Sequence, residues 1–268
     1  VEFRRMKLSL EELSFSYRKI FGKKPVLRSI TGTFNEGVTG ILGPNGSGKS
    51  TLLNIVTGRL KSPKGSVYLV TEHGRKTMDE YQRNSSIGYL PQRFTFVPGM
   101  CVKDTVEYVG WVNGLTGKQL NRAVENSLDV VRLNEQQVLK AGALSGGQRQ
   151  RLGLACVLVH EPEVMILDEP TTGLDPESRM LMRKCIADAA SDDRLVLIST
   201  HHMEDLRYLA DDVWVIAEGQ LLYSGSLEGM GEGLATSDDL RYGTEFEAGY
   251  SDLVQSLRSQ NGEDPKHD

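Results

Sequence analysis

One stretch limits what this chain can fold into more than any other: Gly43-Pro44-Asn45-Gly46-Ser47-Gly48-Lys49-Ser50-Thr51. An apolar run from Val38 to Leu42 precedes it and reads as a buried strand. Leu52, Leu53, Ile55, Val56 and Leu60 follow at the spacing of a helix with one buried face. Strand, glycine loop and helix together turn G-x-x-x-x-G-K-[ST] into a phosphate cradle rather than a chance turn. Glycines let backbone N–H groups converge on phosphate oxygens, and the helix aims the positive end of its dipole at the same anion. In such a cradle Lys49 reaches the β- and γ-phosphates and the Ser50 hydroxyl binds Mg2+. The stretch implies a nucleoside triphosphate as ligand.

The chemistry a triphosphate needs recurs later. Val164-Met165-Ile166-Leu167 is apolar throughout, as in a strand buried on both faces, and delivers Asp168-Glu169 at its carboxyl end. Adjacent carboxylates are costly there unless they meet a cation or a polar network. Asp168 suits the Mg2+ shell, and Glu169 a base that orients or deprotonates water. Leu195–Ile198 is a similar strand ending at Ser199-Thr200-His201-His202, so a histidine leaves the sheet at the same edge, within reach of a γ-phosphate. Ser86–Leu90 reads as another, stopping at Pro91 and placing Gln92 where open α/β sheets put ligand contacts. Leu144-Ser145-Gly146-Gly147-Gln148 precedes an apolar helix through Leu152, Ala155, Leu158 and Val159, with Ser145 as N-cap and free N–H groups behind it. The physics is that of a second anion site, although Ser-Gly-Gly before a helix specifies little by itself.

The remaining chain supplies the frame. Leu8 and Leu10 alternate with polar residues, and Leu13, Phe15 and Tyr17 resume out of phase, predicting a strand with a bulge near Glu11–Glu12. Tyr17 at its end either stacks on a base or packs locally. Lys23-Lys24-Pro25 reads as a turn, Ile30–Phe34 as a strand, Asn35-Glu36-Gly37 as a hairpin-like link, and Val67–Val70 as a short strand. Phe94, Phe96, Val97, Pro98 and Met100 are either core or an exposed docking patch. Leu120, Ala123, Val124, Ser127, Leu128 and Val131 trace one helical face, predicting a helical insertion that closes near Gly142. Gly173-Leu174-Asp175-Pro176 is a turn before a further helix, and Val213–Ala217 with Leu221–Ser224 make a hairpin expected at the far end of the fold. Beyond Gly225 a short helix over Phe246–Leu257 is expected, with a disordered end at Ser259–Asp268.

Charge and cysteines exclude more than they select. A net charge of −5 argues against a general polyanion binder. Cys101, Cys156 and Cys185 lack C-x-x-C spacing and read as reduced thiols. No apolar run reaches the length of a membrane span, and basic Val1–Lys7 lacks a signal peptide's apolar core. A cytoplasmic location is expected.

In their order, these stretches resemble the ATP-binding cassette of ABC transporters, over roughly Leu8 to Ser226. Gly43–Thr51 looks like Walker A, Gln92 the Q-loop glutamine, Leu144–Gln148 the LSGGQ signature, and Val164–Glu169 Walker B with its catalytic glutamate. Asp175 matches the D-loop aspartate, His201 the switch histidine and Tyr17 the A-loop aromatic. The resemblance implies an α/β P-loop NTPase with a RecA-like core sheet, an N-terminal antiparallel β subdomain and a helical signature subdomain. It places the ATPase domain at residues 1–226, the helical subdomain at about 93–160 and a tail at 227–268. It also implies a head-to-tail dimer, homomeric or heteromeric, around two ATP with Mg2+. Each ATP meets Tyr17, Gly43, Pro44, Asn45, Gly46, Ser47, Gly48, Lys49, Ser50 and Thr51 of one chain and Ser145, Gly146, Gly147 and Gln148 of the other, with Asp175 also a nucleotide contact. Ser50, Gln92 and Asp168 hold Mg2+ directly or through water, and Glu169 is general base, with His201, Lys49 and Gln92 completing the catalytic set. The partner implied is a separate transmembrane permease at the inner face of the cell membrane, of the bacterial ABC-2 exporter type, docking on the Phe94–Met100 cluster. Nucleic acid is not an expected partner. The competing reading is a soluble ABC ATPase: a translation factor, a DNA-repair machine or an iron–sulfur assembly scaffold. The first normally carries two cassettes, and the second a long coiled coil between its Walker motifs.

Overall fold

The computed structural model describes residues 6–18, 22–71, 74–77, 86–190, 194–230 and 250. At its centre is β7 (Val164–Asp168), buried at every residue. Val164 and Ile166 enter one core, Met165 and Leu167 the other. Neighbouring β8 (Leu195–Thr200) repeats this, with Leu195 and Leu197 on one side and Val196 and Ile198 on the other. Burial on both faces explains the unbroken apolar runs and the parallel pairing. With β3 (Gly37–Leu42), β6 (Ile87–Leu90), β9 (Asp212–Ala217) and β10 (Gln220–Ser226), the sheet runs β10-β9-β3-β8-β7-β6. Its pairs are parallel except for the antiparallel β9–β10 hairpin.

A second, antiparallel sheet is ordered β2-β1-β4-β5, from β1 (Lys7–Arg18), β2 (Lys23–Phe34), β4 (Lys64–Thr71) and β5 (Gly74–Thr77). The expected bulge is present: the β1 register slips between Leu10 and Leu13, and Glu12 takes φ +45°. Leu8, Leu10, Leu13, Leu27, Ile30 and Phe34 face α1 (Lys49–Val56) and the central sheet, where Phe34 stacks on Trp214 with ring centroids 3.9 Å apart. In this sheet and its exit, two expectations need correction. Lys23-Lys24-Pro25 is strand rather than turn, paired with Ser16–Arg18; an outer strand tolerates proline's missing N–H. Asn35-Glu36 is not a hairpin, because β3 joins β8 and β9 and the link crosses between sheets.

On the opposite face lie α2 (Val102–Val112), α3 (Gly117–Val130) and α4 (Gly146–Leu158), with short 3-10 turns at Asn134–Gln136 and Ala141–Ala143. Leu120, Ala123, Val124, Ser127 and Leu128 of α3 are buried, on the face the spacing predicted. These helices share one core with Met165, Leu167, Val196 and Ile198, and with α5 (Pro176–Ala190). A short α6 (Met203–Leu209) packs near β3 and β9 through Leu206. The β9–β10 hairpin is not remote: its turn donates the Gly219 N–H to Ser47 O at 3.0 Å, inside the glycine loop. Met230, past the boundary expected at 226, is buried with Leu42, Leu206, Val213 and Val215. The helix expected at Phe246–Leu257 and the end at Ser259–Asp268 lie outside the described residues, Tyr250 excepted. Cys101, Cys156 and Cys185 are free. Among the described residues no helix is long and apolar enough to cross a membrane.

Candidate active site

The glycine loop is shaped by close approaches. A Cβ at Gly43 would lie 2.0 Å from Ile216 O, and one at Gly48 (φ +110°) 2.7 Å from Leu27 Cδ2. Gly46 also takes positive φ, +82°. Together they wrap residues 43–48 around the start of α1, the arrangement that presents N–H groups to an anion. Buried Lys49 donates to Gly43 O at 2.6 Å and to Pro44 O at 3.3 Å. Burial pulls its pKa below the usual lysine value, opposed by the Glu169 and Asp168 carboxylates. Ser47 Oγ is buried and has no hydrogen-bond partner among the described residues. An orphaned hydroxyl inside a glycine loop suits a phosphate oxygen.

Beside the loop, β7 and β8 end in parallel and deliver the acidic groups. Ser50 Oγ donates to Asp168 Oδ1 at 3.1 Å. Asp168 is 2% exposed and also accepts from Ser199 Oγ. Glu169 takes φ +52°, a left-handed conformation that costs a non-glycine residue about 1–2 kcal/mol. Two bonds from its N–H, to Ser199 O and Ser199 Oγ at 3.0 Å each, hold it there. The turn aims the carboxylate into the site: Oε1 lies 3.9 Å from Lys49 Nζ, and Oε2 accepts from Thr172 Oγ1 at 2.6 Å. His201 Nδ1 is 2.8 Å from Glu169 Oε2. Lys49, Ser50, Asp168, Glu169 and His201 are thus one contiguous set around the loop.

The other expected residues are placed as follows. Tyr17, 43% exposed, meets Phe15 edge-on at 4.9 Å, and its hydroxyl is 3.4 Å from Thr51 Oγ1. Gln92 is exposed two residues past the end of β6. Asp175 caps α5, accepting from Ser178 N at 3.0 Å, and hydrogen bonds from the Ser178 side chain and then its backbone lower the Asp175 pKa. Ser145 caps α4 in a capping box: its Oγ accepts from Gln148 N at 3.2 Å, while Gln148 Oε1 accepts from Ser145 N at 2.9 Å. A Cβ at Gly147 would strike Ser178 Oγ at 2.5 Å, whereas one at Gly146 would meet nothing within 4 Å. Among the described residues no hydrogen bond or ion pair joins Ser145–Gln148 to Gly43–Thr51. Phe94 and Phe96 are half-buried against the helical core, while Val97 is 63% exposed. Both rings line an open groove of about 460 Å³ with Arg59, Tyr89, Val112 and His160.

Three site neighbours escape sequence reading. Ser199 is a polar residue whose partner only the sheet register supplies, and Thr172 meets Glu169 only through the turn that follows β7. Tyr89 stands opposite Ile166 in the β6–β7 ladder, so Asp168 is its diagonal neighbour on the same face. Burial and the Asp168 carboxylate push the Tyr89 hydroxyl up to about 12, against Arg59 stacked 4.6 Å over the ring.

The family described as ABC transporter matches residues 27–172. The linearmycin resistance ATP-binding protein LnrL of Bacillus subtilis is 29% identical over 214 residues, 78% of this chain and 67% of that protein. The Nod factor export ATP-binding protein I of Burkholderia lata is 34% identical over 209 residues, 78% of this chain and 68% of that protein. Among solved structures, the dimeric ATP-binding cassette MJ0796 bound to ADP and Pi superposes with a TM-score of 0.71 at 23% identity, covering 82% of this chain and 98% of that one.

Proposed function

The chain belongs to the ABC transporter family, as an ATP-hydrolysing, energy-coupling subunit, and on that premise we propose that two cassettes close head to tail around two Mg-ATP to drive a separate membrane permease. The observation that carries this is the split site. The loop, carboxylates and histidine converge, while the Ser145-Gly146-Gly147 turn, with Gly146 open, stands unbonded to them. A second cassette offering that turn completes each pocket, and the triphosphate charge is then neutralised from both sides. Hydrolysis removes one of those contacts, and the pair opens.

Within each pocket the loop amides and Lys49 hold the β- and γ-phosphates, and Tyr17 stacks on the base. Mg2+ fits the hydroxyl and carboxylate oxygens of Ser50 and Asp168, with Gln92 a further ligand, direct or through water. When bound it spreads and neutralises charge on the β- and γ-phosphates. Glu169 takes the proton of the attacking water, steadied by Thr172 and by His201, which also contacts the γ-phosphate. Asp175 and Gln148 act at the junction of the two chains. The groove of Phe94 and Phe96 receives the permease, with Val97, Pro98 and Met100 on its approach, and holds the subunit at the inner membrane face. An exporter is the reading favoured by the relatives named for resistance and export. The ATPase unit is assigned to residues 1–226 and its helical part to about 93–160.

Complementation tests the split site. Lys49→Ala and Ser145→Arg are each expected to abolish hydrolysis. Mixed, they form one pocket with an intact loop and an intact signature turn, and activity returns in part. No recovery in a mixture shown to form heterodimers contradicts the arrangement.

A further inference from the structure

Asp205 lies on α6, four residues past His201, and is 1% exposed. A carboxylate there is expensive unless its charge and lone pairs are met. Three stretches of chain meet them. Thr171 Oγ1 donates to Oδ2 at 2.5 Å, Thr200 Oγ1 donates to the same oxygen at 3.3 Å, and Arg183 Nε donates to Oδ1 at 2.5 Å. Two of the donors sit beside residues of the hydrolytic set, and the third lies on the helix that packs against α6. Thr171 is two residues past Glu169, Thr200 immediately precedes His201, and Arg183 is on α5, the helix capped by Asp175. The tie to the histidine loop is doubled, because Thr200 Oγ1 also accepts from His202 N at 2.9 Å and Asp205 N donates to His202 O at 3.1 Å.

We infer that Asp205 is a positioning residue for hydrolysis: one buried carboxylate fixes the distance between the Glu169 and His201 loops and ties both to the helix that starts at Asp175. The inference rests on the reading of Glu169 as base and His201 as its neighbour at the γ-phosphate. Packing alone does not call for an acid here, since Leu206 and Leu209 of the same helix are already buried as apolar residues. Two of the ties come from Thr171 and Thr200, in the loops whose Glu169 and His201 meet at 2.8 Å. Reaction geometry is steep in such distances: a misplacement of about 1 Å costs about a hundredfold in rate. Movement of α5 is transmitted through Arg183 to the same carboxylate, so the device also links the Asp175 turn to the catalytic pair.

The test separates rate from binding. Asp205→Asn keeps the shape and removes the charge facing Arg183. Its kcat is expected to fall about tenfold or more, while the Kd for Mg-ATP stays within about twofold of wild type. Thr171→Val and Thr200→Val, each lacking one hydroxyl, lower kcat severalfold, and adding either to Asp205→Asn changes little because they share one network. If Asp205→Asn fails to fold, the Thr171→Val/Thr200→Val double variant, which leaves the Asp205–Arg183 pair intact, decides the matter. Wild-type kcat in a folded Asp205→Asn or in that double variant overturns the inference, as do fully additive losses. Glu169→Gln run alongside separates the two readings. Full turnover there removes the base assignment, whereas a dead Glu169→Gln beside a fully active Asp205→Asn overturns only the role of Asp205.

Discussion

Ser199→Ala removes one hydroxyl with no exposed surface from between the Asp168 carboxylate and the Glu169 backbone N–H. That oxygen donates to Asp168 Oδ1 and accepts from the Glu169 N–H at 3.0 Å. The two losses are unequal. Glu169 N retains Ser199 O as acceptor at 3.0 Å, so its share of the damage is small. Asp168 loses a charge-assisted bond worth about 1.5–3 kcal/mol and keeps Ser50 at 3.1 Å. A net loss of about 2 kcal/mol follows. Expressed as stability, that lowers Tm by about 4–8 °C for a domain of this size. Expressed in the transition state, it lowers kcat by about thirtyfold. Both are read in one preparation, Tm by scanning calorimetry and kcat by phosphate release at saturating ATP across a Mg2+ titration. Because the hydroxyl orients a carboxylate assigned to Mg2+, the half-saturating Mg2+ concentration is expected to rise with the fall in kcat. Unchanged turnover and Mg2+ dependence, with only Tm lowered, would refute the claim that Ser199 orients Asp168 for chemistry.

Other outcomes follow from the same geometry. Tyr17→Ala is expected to weaken ATP binding by about 1–3 kcal/mol and Tyr17→Phe hardly at all, as stacking requires; equilibrium titration with a fluorescent ATP analogue distinguishes them. His201→Ala removes the 2.8 Å contact to Glu169 and is expected to cost about a hundredfold in kcat with ATP affinity retained. Burial depresses the Lys49 pKa in the free protein, and bound phosphates favour its charged form. ATP binding at alkaline pH therefore takes up protons, and affinity falls as pH rises through the depressed value; calorimetry in buffers of different ionisation enthalpy reads this directly. Val112→Asp, on a groove wall 60% exposed, is expected to leave Tm within about 1 °C, as for a surface change, and to abolish co-purification of the permease.

Much of this site was legible because its parts are local. Gly43–Thr51 and Ser145–Gln148 carry their backbone geometry in consecutive residues, and β7 and β8 declare themselves by unbroken apolar runs. What escaped is long-range or short. Asp168–Ser199 and Thr171–Asp205 join residues far apart in the chain, through register and loop packing that no spacing encodes. α2 is not legible in sequence because Tyr108, Trp111 and Val112 are exposed and blur the apolar stripe of Val102 and Val106. At seven residues, α6 is too short to show a period. Sequence alone puts the β9–β10 turn far from the loop because its bond to Ser47 exists only once β9 pairs with β3.

Sharing of the triphosphate between two cassettes is tested most directly with Glu169→Gln, whose carboxamide cannot take the proton from water. The purified variant, given ATP and Mg2+, is expected to double its mass in light scattering, with Gly146→Cys of one chain crosslinking to Ser47→Cys of the other. A single-chain mass under saturating Mg-ATP, with no crosslink between the signature turn and the glycine loop, would contradict the account.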